Sequence, residues 1–136
     1  MATLTKLSDG AANVAANALT ATLNSAALRI FDGVRPANAN TALSTQVLLA
    51  ELTLNVAAFG AAVAGVATAA SITGDAVADN TGTATWFRVV SAVSSCSVFD
   101  GDVDTAAANL ILNSVAIIAG SSVDVTSMTF SILEST

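Results

Sequence analysis

The 136-residue chain carries 4 basic against 10 acidic residues, a formal net charge of −6, with no His, one Cys and Lys6 as its only lysine. That balance excludes nucleic-acid binding through clustered Lys and Arg, and one Cys without any His excludes an internal disulfide, the common zinc sites and the usual nucleophile-base pairs. The length suits one domain with one core; because 30 residues are Ala, which buries little apolar area, that core is expected to be thin, with some apolar surface covered by sister subunits of a symmetric assembly.

The first twenty residues lack a basic start followed by an apolar core, so no secretory leader is expected. Residues 1–7 read as a loose arm. From Ser8 to Ser25 the chain is dominated by Ala, the best helix former, with Ser8 or Asp9 available as a cap. A short helix is predicted, with Val14, Ala18, Leu19 and Thr22 or Leu23 as a weak apolar stripe facing a sheet or a neighbouring subunit. Together these residues form an N-terminal unit, 1–25, ahead of a β domain, 26–136.

Ala26 to Phe31 predicts the first strand, with Leu28 and Ile30 on one face and Arg29 and Phe31 on the other. Asp32-Gly33 ends it. The following VRPANANTALST holds the only Pro and several Asn without an apolar period, which predicts an exposed loop. Gln46 to Leu54 alternates, placing Leu48, Ala50, Leu52 and Leu54 inward and Val47, Leu49, Glu51 and Thr53 outward. Asn55 to Ala64 reads as loop, Val66 to Ile72 as a short strand, and Thr73 to Thr81 as a turn region. Leu52 to Ile72 is uncharged and reaches membrane-spanning length. It is rich in Ala, Gly, Thr and Asn and has acidic flanks at Glu51 and Asp75, so no membrane helix is expected.

Thr81 to Val90 holds the only Trp beside a Phe. Its alternating sets are Ala84, Trp86, Arg88, Val90 and Thr83, Thr85, Phe87, Val89, so each face receives a large apolar group and the strand is expected to be central and covered on both sides. A Ser-rich link then leads through Ser97 to Phe99 into Asp100-Gly101, read as a turn by analogy with Phe31-Asp32-Gly33. Leu110 to Ile118 and Val123 to Leu133 flank Ala119-Gly-Ser-Ser122 as a β-hairpin. Its second arm changes apolar parity between Val125 and Met128, which predicts a β-bulge near Thr126 or Ser127. About seven strands without alternating helices predict a mainly β fold, an antiparallel β-sandwich with a short N-terminal helix.

Few residues could carry chemistry. Asp100, Asp102 and Asp104 place oxygen ligands at alternate positions, a conceivable calcium site, yet the EF-hand order is absent and a solvated acidic turn is the preferred reading. Arg88 reads either as pairing with a carboxylate or bridging to another subunit, or as an outward charge at a strand end. Cys96 reads as a small half-buried hydrophobe rather than a nucleophile. No catalytic, cofactor-binding or metal-ligating residue is assigned, and no enzyme activity or cofactor is expected.

Taken in order, Leu28-Arg-Ile-Phe-Asp-Gly33, Arg35-Pro36, Leu48-Leu-Ala-Glu-Leu-Thr-Leu54, Thr81-Gly-Thr-Ala-Thr-Trp-Phe-Arg88 and Leu112-Asn-Ser114 through Val123-Asp-Val-Thr-Ser127 resemble a family of small tailed-bacteriophage virion structural proteins. The resemblance spans residues 26–133. It departs from the commoner pattern at Cys96 and at Asp100 to Asp104, and it supplies no catalytic residue and no support for an ion site. It implies a component made in the host bacterial cytoplasm and located in the virion: a capsid decoration or cement protein that forms a homo-oligomer, such as a trimer, and binds the major capsid protein. A tail, collar or fibre component binding the host surface is the alternative. Neither nucleic acid nor membrane is an expected partner.

Overall fold

The computed structural model describes residues 5–132. Among the described residues the chain is mainly β, with nine strands after one short helix: α1 (Asp9–Thr20), a 3-10 turn (Ala21–Leu23), β1 (Ala27–Phe31), β2 (Leu48–Thr53), β3 (Val66–Thr68), β4 (Gly82–Thr83), β5 (Trp86–Val90), β6 (Ser97–Asp104), β7 (Leu110–Leu112), β8 (Ala116–Ile117) and β9 (Val125–Ser131). Seven strands form one sheet in the order β2-β1-β5-β6-β7-β9-β3, and β4 pairs with β8. All these pairings are antiparallel except β6 with β7. Side chains from distant parts of the sheet order, among them Leu28, Leu52, Phe87, Leu110 and Met128, share one buried cluster. The sheet is therefore curled over its core in two layers.

Ser8 caps α1, its hydroxyl accepting the Ala11 amide at 3.2 Å. Ser8→Ala is expected to cost about 1 kcal/mol, measured by urea denaturation. Of the predicted stripe only Leu23, in the 3-10 turn, is buried; Val14 is 70% exposed, and within the helix Ala12, Ala16 and Thr20 are buried instead. Ala16 packs with Ala62 and Ala67, so small side chains set the contact where helix and β3 approach closely. Three asparagines reinforce it: Asn13, Asn17 and Asn24 accept through their side-chain oxygens the backbone amides of Gly65 (2.8 Å), Ala62 (2.7 Å) and Ala58 (3.0 Å). Of the proposed arm, residues 1–4 lie outside the described residues, as does Leu133 at the end of the last predicted strand.

Several predicted boundaries shift for physical reasons. In β2, Leu49 is fully buried beside Ala50, because a bulge between Ile30 and Phe31 of β1 changes the parity of the pairing. The Trp strand is interrupted: Gly82–Thr83 pairs with β8, and only Trp86–Val90 joins the main sheet, between β1 and β5's other neighbour β6, with all five residues buried. Asp100-Gly101 is not a turn; β6 runs through it in register with Arg88 and Phe87. The predicted hairpin around residues 119–122 does not form as such: of its first arm only Leu110–Leu112 pairs with β9, and Ala116–Ile117, as β8, leaves to pair with β4. The β7/β9 register steps from Ile111 opposite Ser127 to Leu112 opposite Val125, so Thr126 is the extra residue of the anticipated bulge.

Neither sheet edge is left bare. Asp79 and Asn80 donate their amides to Leu49 O along β2, and Asp75 and Val123 exchange both backbone bonds, so residues 75–80 link β2 to the segment before β9. Along β3, Val63 and Val66 exchange both bonds around Ala64 (φ 50°) and Gly65 (φ 74°). Two positive φ values in a two-residue loop define a type I′ turn, which favours Asn-Gly. Ala64→Asn is expected to stabilise the fold by about 0.5–1 kcal/mol by relieving left-handed strain, read as a raised denaturation midpoint.

Candidate functional site on the outer sheet face

The face of the sheet turned away from the core collects the charged side chains. The register aligns Glu51, Arg29, Arg88 and Asp100 as one row across β2, β1, β5 and β6. Two like charges, Arg29 and Arg88, stand directly opposite each other, an unfavourable pairing unless each has its own counter-ion. Each does. Arg29 Nε lies 2.7 Å from Glu51 Oε2 at the surface, with the side chains 42% and 45% exposed. Arg88 holds Asp100 by two bonds, Nε to Oδ1 at 2.7 Å and Nη2 to Oδ2 at 2.9 Å, with the side chains 7% and 6% exposed. Arg29→Met is accordingly expected to change stability by less than about 1 kcal/mol, with the denaturation midpoint as the measurement.

Arg88 also reaches the segment joining β1 to β2. Its Nη1 donates to Thr41 O at 2.9 Å and its Nη2 to Asn38 O at 3.4 Å, and the guanidinium carbon lies 5.4 Å from the Trp86 ring centroid. The hydrogen bonds with Asp100 raise the Arg88 pKa above the ordinary guanidinium value, against the opposing effect of burial, and the Asp100 charge adds to the rise. The next row places Phe31 beside Trp86, stacked at 4.5 Å between centroids, and Trp86 Nε1 donates to Asp32 O at 3.0 Å.

The predicted acidic turn is thus the outer face of an interior strand, β6. Asp100 is buried against Arg88, Asp102 pairs with Arg35 at 2.9 Å, and Asp104 accepts the Thr105 amide at 2.7 Å. Among the described residues no group of three or more Cys, Asp or Glu side chains could hold a metal ion. Arg88 is the buried member of an ion pair rather than an outward charge at a strand end. Cys96 is exposed, not half-buried, because it lies in the link between β5 and β6, next to Ser95 at φ 57°.

The cavities are shallow. One of about 300 Å³ runs beside Arg35, Asn38, Val98 and Phe99, one of about 250 Å³ lies between residues 68–72 and 125–128, and an open one of about 390 Å³ lies beside Ser25, Asn55 and Thr73, without an ionisable side chain in its lining. Such volumes lie near the lower end of small-molecule sites. The ionised groups at the first are already paired, Arg35 with Asp102 and Asp100 with Arg88. Four of the five guanidinium donors of Arg88 point at protein acceptors, so the cluster acts as an internal clasp. Within the described residues no helix is long and apolar enough to cross a membrane.

Sequence reasoning missed three participants. Asp32 fastens the segment by accepting the Val47 amide at 2.7 Å, the Thr41 carbonyl receives Arg88, and Asn13 and Asn17 of α1 with Asn24 after the 3-10 turn hold residues 58–65. Only the asparagines left a signal, a spacing of one and then two helical turns in an Ala-rich stretch. Comparison with protein-family models, with curated proteins and with solved structures finds no match to this chain.

Proposed function

We propose that this chain is a non-catalytic structural protein of a bacteriophage particle, a capsid decoration or cement protein that associates with copies of itself and binds the major shell. The order of motifs from Leu28 to Ser127 supports the viral assignment by resemblance. The observation that carries a structural role is the aliphatic surface: Val14, Val34, Val56, Val63, Val77 and Val93 are each at least 64% exposed. Exposed apolar area of this kind is removed from water when neighbouring chains close over it. Each arginine is engaged in an ion pair, which leaves a surface of small, mainly uncharged side chains suited to close contact between proteins.

Two measurements test this reading. Light scattering on the purified chain is expected to give a particle larger than one chain. Quantitative protein analysis of purified virions is expected to find it in proportion to the shell subunit. A few copies per particle would move it to the tail, collar or a fibre, and absence from the particle would remove the reading.

A further inference from the structure

From Asp32 to Leu48 no residue is buried. Hydrophobic burial therefore contributes little to holding this segment, although it is the main term elsewhere in the fold. Yet the outer sheet face it crosses holds two large stacked rings beside the charged row. Phe31 and Trp86 beneath it are 2% and 1% exposed. What fastens the segment is polar: Thr85 Oγ1 to Gly33 O at 2.6 Å, Trp86 Nε1 to Asp32 O at 3.0 Å, Arg35 to Asp102 at 2.9 Å, and Arg88 to the carbonyls of Asn38 and Thr41. Arg88 with Asp100 is the only buried ion pair among the described residues, and its remaining bonds end on this segment's backbone.

We propose that residues 32–47 form an arginine-latched strap that lifts as one unit while the sheet stays folded, and that lifting uncovers the stacked Phe31 and Trp86. Units with few buried apolar side chains of their own open at lower free energy than units held by core packing. The strap fits that description, and β1 and β5 below it do not, since Ile30, Phe87 and Val89 are fully buried. Burying an ion pair gives little net stability over an apolar pair of equal volume, so its use here is directional: a fork that grips carbonyls a methyl group could not. The inference stands apart from the viral assignment and concerns motion within one chain.

Trp86 is the only Trp, and its indole N–H donates to Asp32 O of the strap, so the indole reports on strap opening. In native-state hydrogen exchange of the unmodified protein, the Trp86 indole N–H is expected to exchange at least about tenfold faster than the amides of Ile30 and Phe87, with little dependence on denaturant. If all three merge on one denaturant-dependent line, the strap has no opening of its own and the proposal fails. The double variant Arg88→Met/Asp100→Leu removes the latch without leaving an unpaired charge. Acrylamide quenching of its Trp86 is expected to rise several-fold with the far-ultraviolet spectrum unchanged. Quenching at the unmodified level in a folded double variant would overturn the latch, and if that variant does not fold, the exchange comparison decides.

Discussion

Replacing Arg88 by Met is expected to lower stability by about 3–5 kcal/mol, because it leaves the Asp100 carboxylate buried without its counter-charge. Asp100 is 6% exposed and receives two bonds from Arg88, so no solvent stands ready to take over. The loss belongs to the orphaned charge rather than to the pair itself. Arg88→Met/Asp100→Leu should therefore recover most of it, and the two single changes should couple by well over about 1 kcal/mol in a double-mutant cycle. Urea denaturation at constant slope measures both. A single Arg88→Met variant within about 1 kcal/mol of the unmodified chain would show that water reaches Asp100.

The pH dependence of this contribution has a definite sign. The Arg88 pKa is raised in the folded chain, chiefly by its hydrogen bonds with Asp100. Its stabilisation is then fully present below the ordinary guanidinium value and lost only as pH rises through the folded one. Across the neutral and mildly alkaline range Arg88 itself introduces no change.

Gly101→Ala should cost about 1–3 kcal/mol through overpacking. A β-carbon at Gly101 would meet Cε1 and Cζ of Phe87 at 2.5 Å and Asn109 Cβ at 3.3 Å. Phe87 is fully buried and packs edge-on against Phe99, with centroids 5.9 Å apart, so its ring has little room to turn. Gly101 is absent from the positive-φ positions, which removes a backbone reason for the glycine. The cost should therefore depend on the ring: in a Phe87→Leu background the same Gly101→Ala change should cost clearly less. Equal costs in both backgrounds, measured by thermal or urea unfolding, would place the strain elsewhere.

Gly101 shows how far local chemistry reads a chain. Asp-Gly after Phe is a turn signal at Asp32-Gly33, where Gly33 takes φ 76°, and the same three residues continue a strand at Phe99-Asp100-Gly101. The difference lies across the sheet, where Phe87 needs the space and Arg88 needs the carboxylate. Arg88 was legible as a residue seeking a counter-ion, but its partner follows from the β5/β6 register, which depends on a bulge between Val89 and Val90. The strap reads as an exposed loop, and its side chains are indeed largely exposed. What pattern reading cannot show is that backbone carbonyls, identical at every residue, are what Arg88 grips.

Local rules that need only neighbouring residues succeeded by themselves. Ser8 caps its helix because the acceptor and the amide are three residues apart. The parity change from Val125 to Met128 announces the Thr126 bulge because alternation is a property of one strand. The β-rich class, the helix start, the strand faces of β1 and the two-sided burial of Trp86–Val90 were all settled at that level. Tertiary structure alone chose the helix face, the inward turn of Leu49, the passage of β6 through Asp100-Gly101 and the clasp beneath the strap. Each of those depends on which distant backbone lies opposite, and register between strands is a property of the assembled sheet rather than of any single segment.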